Sequence, residues 1–269
     1  GKFHSTSTLM ELSAELFSLV KEELNDSENT IKMSLVLSAS AAVEICWETS
    51  NISERQINAR KALELVSKCM TIMTNPSADE ATPFCFVLKF ACKLFLEDNN
   101  ILDVIREVEE IPGISPNILE LMANMAMQEP YVLKHVAVKC LHAAFNARFQ
   151  SSISDWKKFA ELVTDITRMS SSRKNLPDFC DKLIDMLAPL CSQGSCEYPE
   201  LKAKWLVSWL WNEAVHLYRA RELERAEKLM SKAIQIAKFL LKTFPHAEEF
   251  KASYQYVLTE LNGLENDRK

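Results

Sequence analysis

The sequence is short of glycine. Gly1, Gly113, Gly194 and Gly263 are the only four in 269 residues, where average usage of about 7% would give about nineteen. Tight strand hairpins and phosphate-cradling loops both need glycine, for positive φ or for close backbone approach. A chain this poor in it builds few of either. Clustered Lys and Arg are also missing, and the net charge is −6 with pI near 5.5. Direct nucleic-acid binding is therefore not expected, because phosphate contacts need concentrated positive charge. Uninterrupted apolar runs fall short of the roughly 18 residues of a membrane span. The strongest candidate, 84–95, carries Lys89 and Lys93 inside it, so no membrane association is expected.

Catalytic and metal motifs are absent too. There is no HExxH, P-loop, GxSxG or dinucleotide glycine pattern. The eight cysteines form no CxxC pair and follow no signal peptide, so they read as buried free thiols of an intracellular protein. His135 and His142 share one helical face near Cys140, a set more simply read as satisfied or exposed side chains than as ligands. Cys191 and Cys196 lack the second pair that a zinc site needs. Glu109-Glu110 and Glu248-Glu249 are adjacent in sequence, not opposed across a cleft, and read as solvated faces. The expectation is a non-enzymatic protein with no metal and no cofactor. A deep pocket with converging titratable groups would favour an enzyme instead. Gly1 reads as an expression remnant and the chain as part of something longer, so its termini carry no targeting information.

Helix formers are abundant, with 48% hydrophobic and 25% charged residues. Apolar residues recur at helical spacing almost throughout. Leu9, Leu12, Leu16, Leu19 and Val20 make one stripe, opposite Glu11, Glu15 and Lys21. A polar break at 25–29 precedes a second helix with Leu35, Ala39, Ala42, Val43 and Cys46. Ser53 with Gln56 reads as a capping box for a third. Ser77 with Glu80 reads as another, although Pro83 can move that start to Thr82. Ser115-Pro116, Pro130, Ser152 with Asp155, and Pro177 open later helices. The stretch 191–199 reads as an internal hinge, followed by helices near 200–220, 222–243 and 246–262, the last two separated by Pro245.

Such short connections make antiparallel hairpins, and about a dozen helices are too many for one bundle core. The reading is an all-α, right-handed superhelical solenoid of TPR-like, degenerate repeats. Residues 1–196 form its degenerate part, and 197–269 a C-terminal TPR-like hairpin with a capping helix. Leu210, Ala214, Leu217, Ala226, Met230 and Ala233 supply the bulky and small residues of one 34-residue tetratricopeptide repeat at its offsets. Upstream, residues such as Ala59, Leu63 and Val66 fit only loosely.

The segment from Trp205 to Asn212 holds three of the five tryptophans. At 100° per residue these cannot all face one core. Leu206, Leu210, Ala214 and Leu217 define the packed stripe. Trp205, Trp209, Asn212 and His216 lie to one side of it; Ser208, Trp211, Val215 and Tyr218 lie to the other. In the repeat register the positions of Trp211, Asn212, Val215 and Tyr218 line a peptide groove, so with Ser208 they are the candidate partner-binding residues. Tryptophan offers apolar area and an N–H, and asparagine can bond a peptide backbone as donor and acceptor. The alternative is that the tryptophans pack between successive hairpins.

Trp205-Leu206, followed by Trp211-Asn212 and the Ala226/Ala233 helix, resembles the C-terminal region of the meiotic Zip-four / testis-expressed protein eleven family of TPR proteins. The likeness covers about residues 198–245, and Leu210 stands where that pattern has a small residue. The resemblance implies a scaffold promoting crossover formation on meiotic chromosomes in the nucleus. It implies two partners, an XPF-nuclease-like crossover complex and a small coiled-coil protein of the synaptonemal complex central element. The Trp211-Asn212 pair is implied to serve the second contact. A generic TPR- or HEAT-like adaptor of another intracellular complex is the alternative.

Overall fold

The computed structural model describes residues 2–19, 27–150, 153, 155–170, 176–241 and 246–266. Among the described residues the chain is all-helical, with twelve α-helices and no strands. They are α1 Lys2–Leu19, α2 Ser27–Glu48, α3 Ile52–Ile72, α4 Thr82–Phe95, α5 Ile101–Glu109 and α6 Pro116–Ala126. Then come α7 Lys134–Gln150, α8 Trp156–Met169, α9 Leu176–Ser192, α10 Glu200–Arg219, α11 Leu223–Leu240 and α12 Ala247–Asn266. The chain divides into two compact units, Gly1–Gln150 and Ser151–Lys269. The expected change of repeat character at 196/197 is a different division, falling in the loop between α9 and α10.

In the first unit α2 is the core helix, flanked by α1 and α3 and touched by α4. It runs antiparallel to α3. Cys46, near its end, donates to the carbonyl of Arg55 at the start of α3, while Lys32, near its beginning, meets Cys69 late in α3. Burial on several sides explains its composition. Residues Glu28–Glu48 are long and apolar enough to cross a membrane by length and composition, yet 67% of that window is buried within the protein. The sequence expectation singled out 84–95 instead, because Ser, Thr and Ala among the α2 residues break up its apolar run.

Helix starts depart from the sequence reading at two places. The cap of α3 is Asn51 rather than Ser53. In extended backbone, Asn51 accepts from the Ser53 and Glu54 N–H groups at 3.0 and 3.3 Å, satisfying two of the orphan donors of the first turn. Helix α7 begins at Lys134 and not after Pro130. Val132 sits at φ 44, outside the helical region, and Leu133 turns back to donate to the Ala126 carbonyl at 2.7 Å. Helix α4 starts at Thr82 with Pro83 in its first turn, and Asp155 caps α8 through the Lys158 N–H. Val20, Lys21, Ser152 and Pro245 lie outside the described residues.

In the second unit α10 and α11 form the central hairpin, with α8 against α10, α9 against α11 and α12 against α11. Helix α12 runs parallel to α10: Trp211 meets Phe250 early in α12, and Tyr218 meets Glu260 later. Tyr254 reaches back to Glu227 on α11 at 2.6 Å. An aromatic cluster of Trp156, Phe159 and Tyr198 ties the segment before α10 to the start of α8.

Candidate protein-binding face of α10

Leu210, Ala214, Leu217, Ala226, Met230 and Ala233 are each no more than 3% exposed. The three alanines leave only a methyl between the two backbones, so α10 and α11 approach closely, and Met230 fills the remaining gap. This core fixes the rotation of α10 about its axis. The 34-residue spacing does not continue into α12. The residues that α12 turns inward, Phe250, Tyr254 and Val257, fall forty positions after Leu210, Ala214 and Leu217. Helices of 20 and 18 residues in the hairpin account for the longer step.

With α10 so oriented, Leu201, Ser208, Asn212 and Arg219 form its exposed ridge. The other candidate residues do not share that ridge. Trp211 is 8% exposed and stacks on Phe250, ring centroids 3.8 Å apart and planes inclined by 16°. Val215 and Tyr218 are half-buried along the same α12 side. The Tyr218 hydroxyl donates to Glu260 at 2.6 Å, and Arg221 donates to the same carboxylate at 2.7 Å. That hydrogen bond first, then burial and the carboxylate charge, push the Tyr218 pKa up to about 12. Trp211 and Tyr218 thus hold α12, while Ser208 and Asn212 are exposed and, among the described residues, have no side-chain hydrogen-bond partner. Of the two sequence alternatives, packing between helices describes Trp211.

The opposite flank is more open. Trp205 and Trp209, both half-buried, stack with centroids 6.3 Å apart, and the Arg168 guanidinium of α8 lies 5.0 Å from the Trp205 ring centroid. Leu201 continues this row and is 82% exposed. Nearby on α8, burial raises the Asp165 pKa, opposed by Arg168 and Lys202. These residues were not among the candidates. Their signal was the spacing of four between Leu201, Trp205 and Trp209, which puts all three on one helical row.

Chemically, this face can exchange hydrogen bonds with a peptide through Asn212 and Ser208, and bury apolar groups against Trp205 and Trp209. Among the described residues, no three His, Cys, Asp or Glu side chains gather as metal ligands. Cys140 is buried, its thiol pushed up to about 12 by desolvation, while His135 is exposed. No model of a known protein family matches the chain, and no solved structure matches it.

Proposed function

We propose that the chain is a non-enzymatic protein-interaction scaffold built of TPR-like helix hairpins, with the exposed ridge of α10 as a docking face. The observation that carries this reading is the burial of all six repeat positions of α10 and α11 together with the exposure of Ser208 and Asn212. A repeat hairpin that spends its stripe on packing and turns an amide outward is suited to holding a peptide or helix. With the Trp-Asn resemblance, the proposed role is promotion of meiotic crossovers in the nucleus. There the scaffold would link an XPF-nuclease-like crossover complex to the synaptonemal central element. Trp211 acts in this reading by fixing α12 beside the face, and Asn212 makes the contact.

The test is a pull-down of the small coiled-coil central-element protein by the chain and its variants. Asn212→Ala and Ser208→Glu should abolish capture while leaving the melting curve unchanged, because both side chains are exposed. Capture that survives both variants sinks the α10 face as the docking site. The forty-residue step into α12 favours a second reading, a generic adaptor of HEAT-like period. A central-element protein that never binds the unaltered chain would support that reading.

A further inference from the structure

The first unit contains a cavity of about 560 Å³ between the start of α3, the α4–α5 turn and the loop before α7. Its size lies in the range of small-ligand sites. Its floor is apolar, with Leu94, Phe95, Ile101 and Val136 among the lining residues. Arg55 and Lys93 are the two full cations on its wall, and their situations differ. The Lys93 ammonium is spent on Asp98 at 2.9 Å. Arg55 is partly buried and bonds only neutral oxygens, the Tyr131 hydroxyl at 3.3 Å and the Thr49 carbonyl at 2.7 Å. Among the described residues no carboxylate lies within ion-pair distance of it, and its Nε is buried without a partner. A partly desolvated charge with no counter-charge is costly to keep.

Tyr131 adds a donor. Burial first, against the charge of Arg55, raises its pKa, so the phenol stays protonated. Its oxygen accepts from Arg55, and among the described residues nothing accepts its proton. The ring stands edge-on to Phe95, which fixes the hydroxyl in place. The rim acids do not pair with Arg55: Asp98 is held by the Asn100 N–H and by Lys93, and Glu97 is solvent-exposed, although its charge reaches Tyr131. Both turns at the rim contain a non-glycine residue in the left-handed region, Glu97 at φ 52 and the β-branched Val132 at φ 44. Backbone held in such conformations is concentrated at ligand sites.

We propose that this cavity binds a carboxylate carried on an apolar body, the anion against Arg55 and the Tyr131 hydroxyl and the apolar part on the Leu94–Phe95 floor. A free aromatic acid and the C-terminal residue of a partner chain present the same chemistry. The site is independent of the α10 face, so either can fail alone.

Calorimetric titration of the full chain with N-acetyl-phenylalanine and with its amide is the test. The acid should saturate a single site, and the amide should bind at least about tenfold more weakly, a difference of about 1.4 kcal/mol. Arg55→Gln should remove that preference, and Tyr131→Phe should weaken the acid severalfold without changing the melting curve. A short acetylated peptide ending in a free Phe carboxylate separates the sources. Tighter binding of the peptide than of the free acid points to a partner terminus, and equal binding to a small acid. Equal affinity for acid and amide, or no saturable heat, overturns the proposal. Should Arg55→Gln unfold, the acid–amide comparison and Tyr131→Phe still decide.

Discussion

Trp211 lies flat on Phe250, with ring centroids 3.8 Å apart. This contact joins the middle of α10 to the first turn of α12, and it closes the side of α10 that the repeat register offers to a peptide. Trp211→Ala should therefore cost about 3 kcal/mol, the lower end for deleting a buried aromatic. Phe250→Ala, removing a half-exposed ring, should cost about 1–2 kcal/mol. In urea unfolding the double variant should fall short of the sum by about 1 kcal/mol, since the pair is lost only once. Additive losses would mean that the stacking contributes nothing.

The cap of α3 gives a sharper pair. Asn51→Ala should cost about 1 kcal/mol, and Ser53→Ala should stay within about 0.5 kcal/mol. Thermal unfolding of the two variants checks this, and the reverse order would restore the capping box at Ser53.

Lys32 and Asp79 form an ion pair at 2.7 Å, with side chains 11% and 13% exposed. Burial opposes ionisation of Asp79, but the hydrogen bond from Lys32, the Ala81 N–H and the Lys32 charge outweigh it and hold its carboxyl below the usual range. The bond to Asp79, against burial, raises Lys32. A depressed carboxyl pKa contributes stability above its unfolded value of about 3.9 and loses it as pH falls through the folded value. The raised lysine contributes below about 10.4 and loses its share as pH rises through its own folded value. Lys32 keeps a second carboxylate, Glu28 at 3.3 Å, so Asp79→Asn should cost only about 1–2 kcal/mol near neutral pH. That deficit should shrink as pH falls below about 4. Melting curves across this range decide; a deficit independent of pH would assign the loss to packing.

Six of the eight cysteines are buried, leaving Cys191 and Cys196 partly accessible on either side of the α9–α10 turn. Burial raises Cys46, Cys140 and Cys180 to about 12, and burial with the hydrogen bond to Cys196 raises Cys191 to about 12 as well. Iodoacetamide at neutral pH should therefore label Cys196 ahead of Cys191, leave the six buried thiols of the native chain untouched, and reach all eight sites after denaturation. Mass mapping that finds early label on Cys92 or Cys140 would contradict the packed core.

Much of this was legible from residues alone. The first-turn prolines Pro83, Pro116 and Pro177 and the apolar stripe that α10 and α11 share depend on neighbours within one hairpin, and periodicity records those. The fate of Trp211 depends on Phe250, a residue of another helix. Spacing says which side of α10 a tryptophan occupies but not whether a later helix covers it. The start of α7 was misread because Val132 adopts a left-handed φ that a β-branched residue does not advertise. Arg55 gave no sign either, because a lone arginine in a capping turn looks like any solvated charge until Tyr131 is folded against it.

The α8–α12 packing has a mechanical consequence. Helices α8, α9 and α12 each lean on the α10–α11 hairpin, so that hairpin is the hub through which the others are coupled. Hydrogen exchange will be slowest there and quicken outward to α12.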